Sequence, residues 1–118
     1  MKYTYVIVDD DEAFVTLLKH QLSFFDDLEF LESYGRTISA ATGIERLKPD
    51  IIFLDMEVDI LTGLDILKVV HPKSKIIVIS NSMAYQEEAD ALGVHDYIQK
   101  PIESLDRLRE SVDRIATS

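Results

Sequence analysis

The chain has no cysteine and no tryptophan, only three prolines and four glycines among its 118 residues, and no long apolar run. Without cysteine, disulfides, thiolate metal sites and a cysteine nucleophile are all excluded. The longest apolar stretches, such as Ile76 to Ile79, fall far short of the roughly 20 residues that cross a bilayer, so no membrane span is expected. The opening Met1-Lys2-Tyr3-Thr4 lacks the apolar segment of a secretory signal, which predicts a cytoplasmic protein. Positive charge is scarce as well. Twelve Lys and Arg face 22 Asp and Glu, a net charge of −10. That balance repels a phosphate backbone and argues against direct nucleic-acid binding. No linker, repeat or low-complexity segment interrupts the sequence, so residues 1–118 are expected to form one domain.

The acidic excess is uneven. Residues 1–65 carry 14 acids and five bases, and residues 66–118 carry eight and seven. The first half includes the unbroken run Asp9-Asp10-Asp11-Glu12. Such a run is either a solvated loop or a cation site, and composition alone does not separate the two.

Short apolar runs alternate with helical periodicity. Tyr3 to Val8 is rich in β-branched and aromatic residues and predicts a strand. Phe14, Leu17, Leu18, Leu22 and Phe25 follow at helical spacing. Leu28 to Leu31 is a weaker strand, and Ile38 to Leu47 a helix weakened by Gly43 and ended by Lys48-Pro49. Ile51 to Leu54 and Ile76 to Ile79 read as strands covered on both faces. Leu64, Leu67 and Val70 suit a helix between them that stops before Pro72. A helix at 84–92 with a poor apolar stripe, a short strand at Tyr97-Ile98 and an amphipathic helix from Ile102 to Ile115 complete the chain. Five strand-then-helix units predict an α/β fold: a five-stranded parallel sheet of order 2-1-3-4-5 with helices on both faces, the flavodoxin-like doubly wound arrangement.

In that topology the polar residues fall together. Asp9 and Asp10 follow the first strand, Asp55 the third and Ser80 the fourth, and Lys100 closely follows the fifth. Ligands of open parallel sheets bind outside the carboxyl ends of the strands. A single Asp after a strand is often no more than a helix cap, and a single Ser or Lys there is usually structural or solvated. The joint placement points to one convergent site. Three neighbouring carboxylates need a compensating divalent cation, and their hard oxygens favour Mg²⁺ or Mn²⁺. One carboxylate can act as nucleophile toward phosphorus. A Lys and a hydroxyl beside it supply what phosphoryl transfer needs to neutralise oxygens.

These residues carry a resemblance. Val6-Ile7-Val8-Asp9-Asp10, Phe53-Leu54-Asp55 with Gly63 eight residues on, Ile77-Val78-Ile79-Ser80, and Asp96-Tyr97-Ile98-Gln99-Lys100-Pro101 together resemble the receiver (CheY-like) domain of two-component response regulators over nearly the whole chain. The resemblance implies that Asp55 is the phosphoacceptor. It implies that Asp10 ligates Mg²⁺ directly, Asp9 helps to hold it, and the Glu57 main-chain carbonyl completes the protein's ligand set. Lys100 then pairs with the phosphoryl group, Ser80 moves toward it, and Tyr97 is the aromatic switch that turns inward. The Lys100–Pro101 bond is expected to be cis. The implied partners are a sensor histidine kinase or phosphotransfer protein, an effector domain outside this chain and a second copy on phosphorylation. The output surface is the fourth helix, fifth strand and fifth helix. The chain is expected to be a regulatory domain rather than an enzyme, and one excised from a longer regulator rather than stand-alone.

The pattern departs from the family in places. Asp59 stands where a Pro is usual, so the stretch Glu57-Val58-Asp59 puts two further acids beside Asp55. Glu57 at that position is expected to tune phosphorylation or dephosphorylation. Asn81 and Ser82 occupy further variable positions beside Ser80. Two other readings compete: a receiver-like interaction module independent of phosphorylation, and an Asp-nucleophile phosphatase. The second rests on the acid-x-acid spacing of Asp55 and Glu57, but haloacid-dehalogenase-like enzymes place that motif after the first strand. Arg107, Arg109 and Arg114 on the last helix, and Asp26 and Asp27, read as ordinary surface charge.

Overall fold

The computed structural model describes residues 2–58, 61–62, 66–68 and 74–117. Strands β1 (Tyr3–Val8), β2 (Leu28–Tyr34), β3 (Ile51–Leu54), β4 (Lys75–Ser80) and β5 (Asp96–Gln99) form one sheet in the order β2-β1-β3-β4-β5, with every neighbouring pair parallel. Helices α1 (Glu12–Leu22), α2 (Thr37–Leu47), α3 (Gln86–Ala91) and α4 (Leu105–Thr117) alternate with them.

Successive strand residues point to opposite faces, and the continuous apolar runs fill both. Tyr5, Ile7, Ile51, Phe53, Ile77, Ile79 and Ile98 pack with Leu18 and Leu22 of α1 and with Leu108, Val112 and Ile115 of α4. Val6, Val8, Ile52, Leu54, Ile76, Val78 and Tyr97 pack on the other side with Ala40 and Ile44 of α2, Ile66, and Ala89 of α3. The sheet is therefore covered on both faces, which is why its inner strands β3 and β4 carry continuous apolar runs.

Local sequence explains the element boundaries. Asp11 caps α1: its backbone is extended and its carboxylate accepts the Phe14 N–H at 3.2 Å. The cap is thus the third acid of the run, which leaves Asp9 and Asp10 free of that duty. At the end of α2, Lys48 takes a left-handed φ of 48° before Pro49. Gly43 sits inside α2 because a Cβ there would collide with the Tyr34 ring.

The structure differs from the sequence pattern at several points. β2 runs three residues beyond Leu31, because β1 offers a pairing edge along its whole length despite a register shift between Tyr5 and Val6. α3 is shorter than 84–92, and Ala89 is the residue it buries. Glu57–Val58 pairs antiparallel with Leu61–Thr62, a short ladder that nothing in the spacing announced. Of the helix expected over Leu64 to Val70, Ile66 and Leu67 are helical. Asp59, Gly63, Val70 and Pro72 lie outside the described residues. No helix among the described residues is long and apolar enough to cross a membrane.

Candidate functional site

The register sets the site. Val8 is level with Leu54, Leu54 with Val78, and Val78 with Tyr97. Asp9 and Asp55 therefore leave adjacent strands at the same height, and the Asp55 N–H donates to the Val8 carbonyl at 2.9 Å. Ser80 ends β4 one residue beyond the level of Asp55, and its carbonyl accepts the Lys100 N–H at 2.9 Å. The Lys100–Pro101 peptide bond is cis.

The Lys100 ammonium is enclosed, with its side chain 7% exposed. It donates to Asp9 Oδ2 at 2.7 Å and lies 3.5 Å from Asp55 Oδ2, with the Phe14 ring centroid 4.1 Å away. Asp9 Oδ1 accepts the Asp11 N–H at 2.9 Å, and Asp55 Oδ1 accepts the Glu57 N–H at 3.2 Å. Burial pushes the Asp9 carboxyl above its ordinary value. Lys100 and the Asp11 N–H pull it back, while the neighbouring Asp55 charge adds to the rise.

Asp9, Asp10 and Asp55 each offer a carboxylate oxygen within 4.8 Å of the others. Asp9 and Asp55 are buried and Asp10 is exposed. One ammonium is shared by the Asp9 and Asp55 carboxylates, so this buried pair is short of positive charge. An all-oxygen set at this separation, open to water on the Asp10 side, fits a hard divalent cation such as Mg²⁺.

Tyr97 is buried, and its hydroxyl donates to the Ser82 carbonyl at 2.6 Å. Ser80 Oγ accepts the Ser82 N–H at 3.3 Å. The backbone after β4 is thus tied at once to the end of its own strand and to the aromatic of the next. Burial raises the Tyr97 phenol above its ordinary value. Glu57 is exposed beside the site.

The structure brings Asp9, Asp10, Asp55 and Lys100 together and places Ser80, Tyr97 and Glu57 around them. Sequence reasoning missed Phe14 as a neighbour of Lys100, having assigned it to the core-facing stripe of α1; the contact joins residues 86 positions apart and leaves no local signal. It also missed a second polar cluster. Asp96 pairs with Arg107 at 2.7 Å and with Arg114 at 3.4 Å, and Asp27 pairs with Arg109 at 2.7 Å.

Comparison with known proteins follows the same lines. Residues 5–113 match the response regulator receiver domain. A protein-glutamate methylesterase/protein-glutamine glutaminase of Pyrococcus abyssi is 34% identical over 118 residues, covering 93% of this chain and 32% of that protein. The transcriptional regulatory protein BtsR of Salmonella typhi is 29% identical over 112 residues, covering 93% of this chain and 46% of its own length. The chain thus spans about a third to a half of the length of these curated relatives. Among solved structures, the response regulatory domain of mrkE from Klebsiella pneumoniae superposes with a TM-score of 0.87 at 23% identity, over 97% of this chain and 95% of that one. The response regulator domain of Thermotoga maritima CheB gives 0.84 at 23%, over 99% and 96%. With this sheet order, this grouping of acids at its carboxyl edge and a match over nearly the whole sequence, the chain belongs to the response regulator receiver domain family.

Proposed function

We propose that residues 1–118 act as one regulatory unit, a phosphorylation-operated switch that accepts a phosphoryl group on Asp55. The observation that carries this reading is the Lys100 ammonium held between Asp9 and Asp55, at 2.7 and 3.5 Å, beside a third carboxylate. Asp9, Asp10, Asp55 and the Glu57 main-chain carbonyl would hold Mg²⁺, or Mn²⁺ in its place. The cation supplies charge neutralisation for the carboxylates and the incoming phosphoryl oxygens.

An Asp55 oxygen attacks phosphorus as the bond from phosphorus to its donor breaks. With a phosphohistidine donor the imidazole leaves and takes up a proton. Lys100 sits 3.5 Å from the Asp55 carboxylate, where it pairs with the transferred group. The Glu57 N–H fixes the other face of the acceptor through Oδ1.

Ser80 supplies a hydroxyl to the new phosphoryl oxygens. Its Oγ now accepts from the Ser82 N–H, so recruitment of that oxygen disturbs the backbone that also holds the Tyr97 hydroxyl. The change reaches the surface of α3, β5 and α4. α3 buries little beyond Ala89, which suits an element that moves. The donor is a cytoplasmic sensor histidine kinase or phosphotransfer protein, and the output passes to an effector domain or to a second copy of the chain. The phosphatase alternative is disfavoured because Asp55 follows β3 in the middle of the sheet, not the first strand.

The test is incubation with Mg²⁺ and acetyl phosphate, followed by intact mass. The wild type gains one phosphoryl group and Asp55→Asn gains none. Modification that persists in Asp55→Asn overturns the assignment.

A further inference from the structure

The Lys100 ammonium has three N–H bonds and three neighbours. Two are the carboxylates of Asp9 and Asp55. The third is the face of Phe14, with the ammonium 4.1 Å from the ring centroid. A cation over an aromatic face is attracted by the ring quadrupole, and more strongly where water is excluded. Here the lysine side chain is 7% exposed.

Phe14 is held in place by the site it serves. Asp9 Oδ1 accepts the Asp11 N–H at 2.9 Å. Asp11 Oδ1 accepts the Phe14 N–H at 3.2 Å. The Phe14 ring lies on Lys100, and Lys100 donates to Asp9 Oδ2 at 2.7 Å. The four residues close a ring of contacts. The N-cap of α1 thereby becomes part of the support for the Lys100 ammonium.

We propose that Phe14 is a positioning residue for Lys100: its ring holds the ammonium beside the acceptor carboxylate and shields it from water, and so sets the rate at which Asp55 takes a phosphoryl group. This rests on the reading of Asp55 as acceptor. The competing role for Phe14 is plain packing, because its ring also lies against the core face shared by α1 and α4. Shape and quadrupole separate the two roles. Fluorination of the ring leaves its shape nearly unchanged and progressively removes the attraction for a cation.

The experiment replaces Phe14 with progressively fluorinated phenylalanines, with Phe14→Leu as the full removal. Two quantities are read: the rate of phosphorylation by acetyl phosphate with Mg²⁺, and, in metal-free protein, exchange of the Lys100 ammonium protons with water by ¹⁵N-edited NMR. Positioning predicts that the rate falls stepwise, to about fivefold below wild type at full fluorination, with an unchanged melting temperature. Ammonium exchange then speeds up in the same order. Equal rates and equal exchange across the fluorinated series overturn the proposal, even if Phe14→Leu is impaired by loss of packing. If the wild type takes no phosphoryl group, the acceptor reading fails separately, and ammonium exchange alone still decides whether the ring holds Lys100.

Discussion

Asp9 and Asp96 are two aspartates with largely enclosed side chains in opposite electrostatic conditions. Their side chains are 2% and 9% exposed, and each touches a cation at 2.7 Å. Yet the Asp9 carboxyl lies above its ordinary value, whereas that of Asp96 falls to about 2. Burial is the largest influence on both and pushes both upward. The difference lies in what opposes it. Asp96 has the fork of Arg107 at 2.7 and 3.1 Å, the Tyr97 N–H at 2.9 Å and Arg114 at 3.4 Å. Asp9 has the Asp11 N–H at 2.9 Å and a single ammonium, which it shares with Asp55, while the Asp55 charge pushes its carboxyl further up. One cluster is charge-balanced and joins β5 to α4. The other has more negative charge than its own residues can offset, which is the condition that invites a cation and an electrophile.

The largest expected effect comes from removing the shared cation. Lys100→Met should slow phosphorylation of Asp55 by about a hundredfold while leaving Mg²⁺ binding intact, as measured by acetyl phosphate kinetics beside a metal titration. Equal kinetics would make the two clusters alike in function. Next, Asp96→Ala should cost about 2 kcal/mol of stability, because it strands Arg107, with little change in phosphorylation rate; chemical denaturation and the same kinetics check both halves.

A pH titration sharpens the contrast. Asp96 has a carboxyl near 2 when folded against an ordinary 3.8. Its stabilising contribution is therefore complete above about pH 4 and is lost as the pH falls toward 2, a change of about 2 kcal/mol. In Asp96→Asn that slope should be flatter over the same window. The smallest effect expected is at Glu57, which is exposed and donates its N–H to Asp55. Glu57→Asn should change the rate of phosphorylation or dephosphorylation by about two- to fivefold through loss of a like charge; identical rates in both directions would remove Glu57 from the account.

Much of the chemistry-bearing cluster was legible because it depends on topology. Asp9, Asp55, Ser80 and Lys100 stand at the ends of strands whose apolar runs are unmistakable, and parallel order then brings those ends together. What stayed hidden depends on contacts between distant residues. Arg109 and Asp27 are 82 positions apart and look like surface charge until α4 docks against the turn before β2. Gly43 looks like a helix defect until Tyr34 is seen to need its space. Phe14 satisfies the apolar stripe of α1 so well that nothing marks its second contact. β2 was underestimated because Glu29 and Glu32 interrupt its apolar pattern, and their exposure fits an edge strand with solvent beside it.

The contrast between a charge-deficient and a charge-balanced cluster is tested most directly by titrating the protein with Mg²⁺ while following backbone amide shifts. The account predicts saturable shifts at millimolar metal centred on Asp9, Asp10, Asp55 and Glu57, none centred on Asp96, and their loss in Asp10→Asn. No binding at millimolar Mg²⁺, or shifts centred on the Asp96 cluster instead, would contradict it.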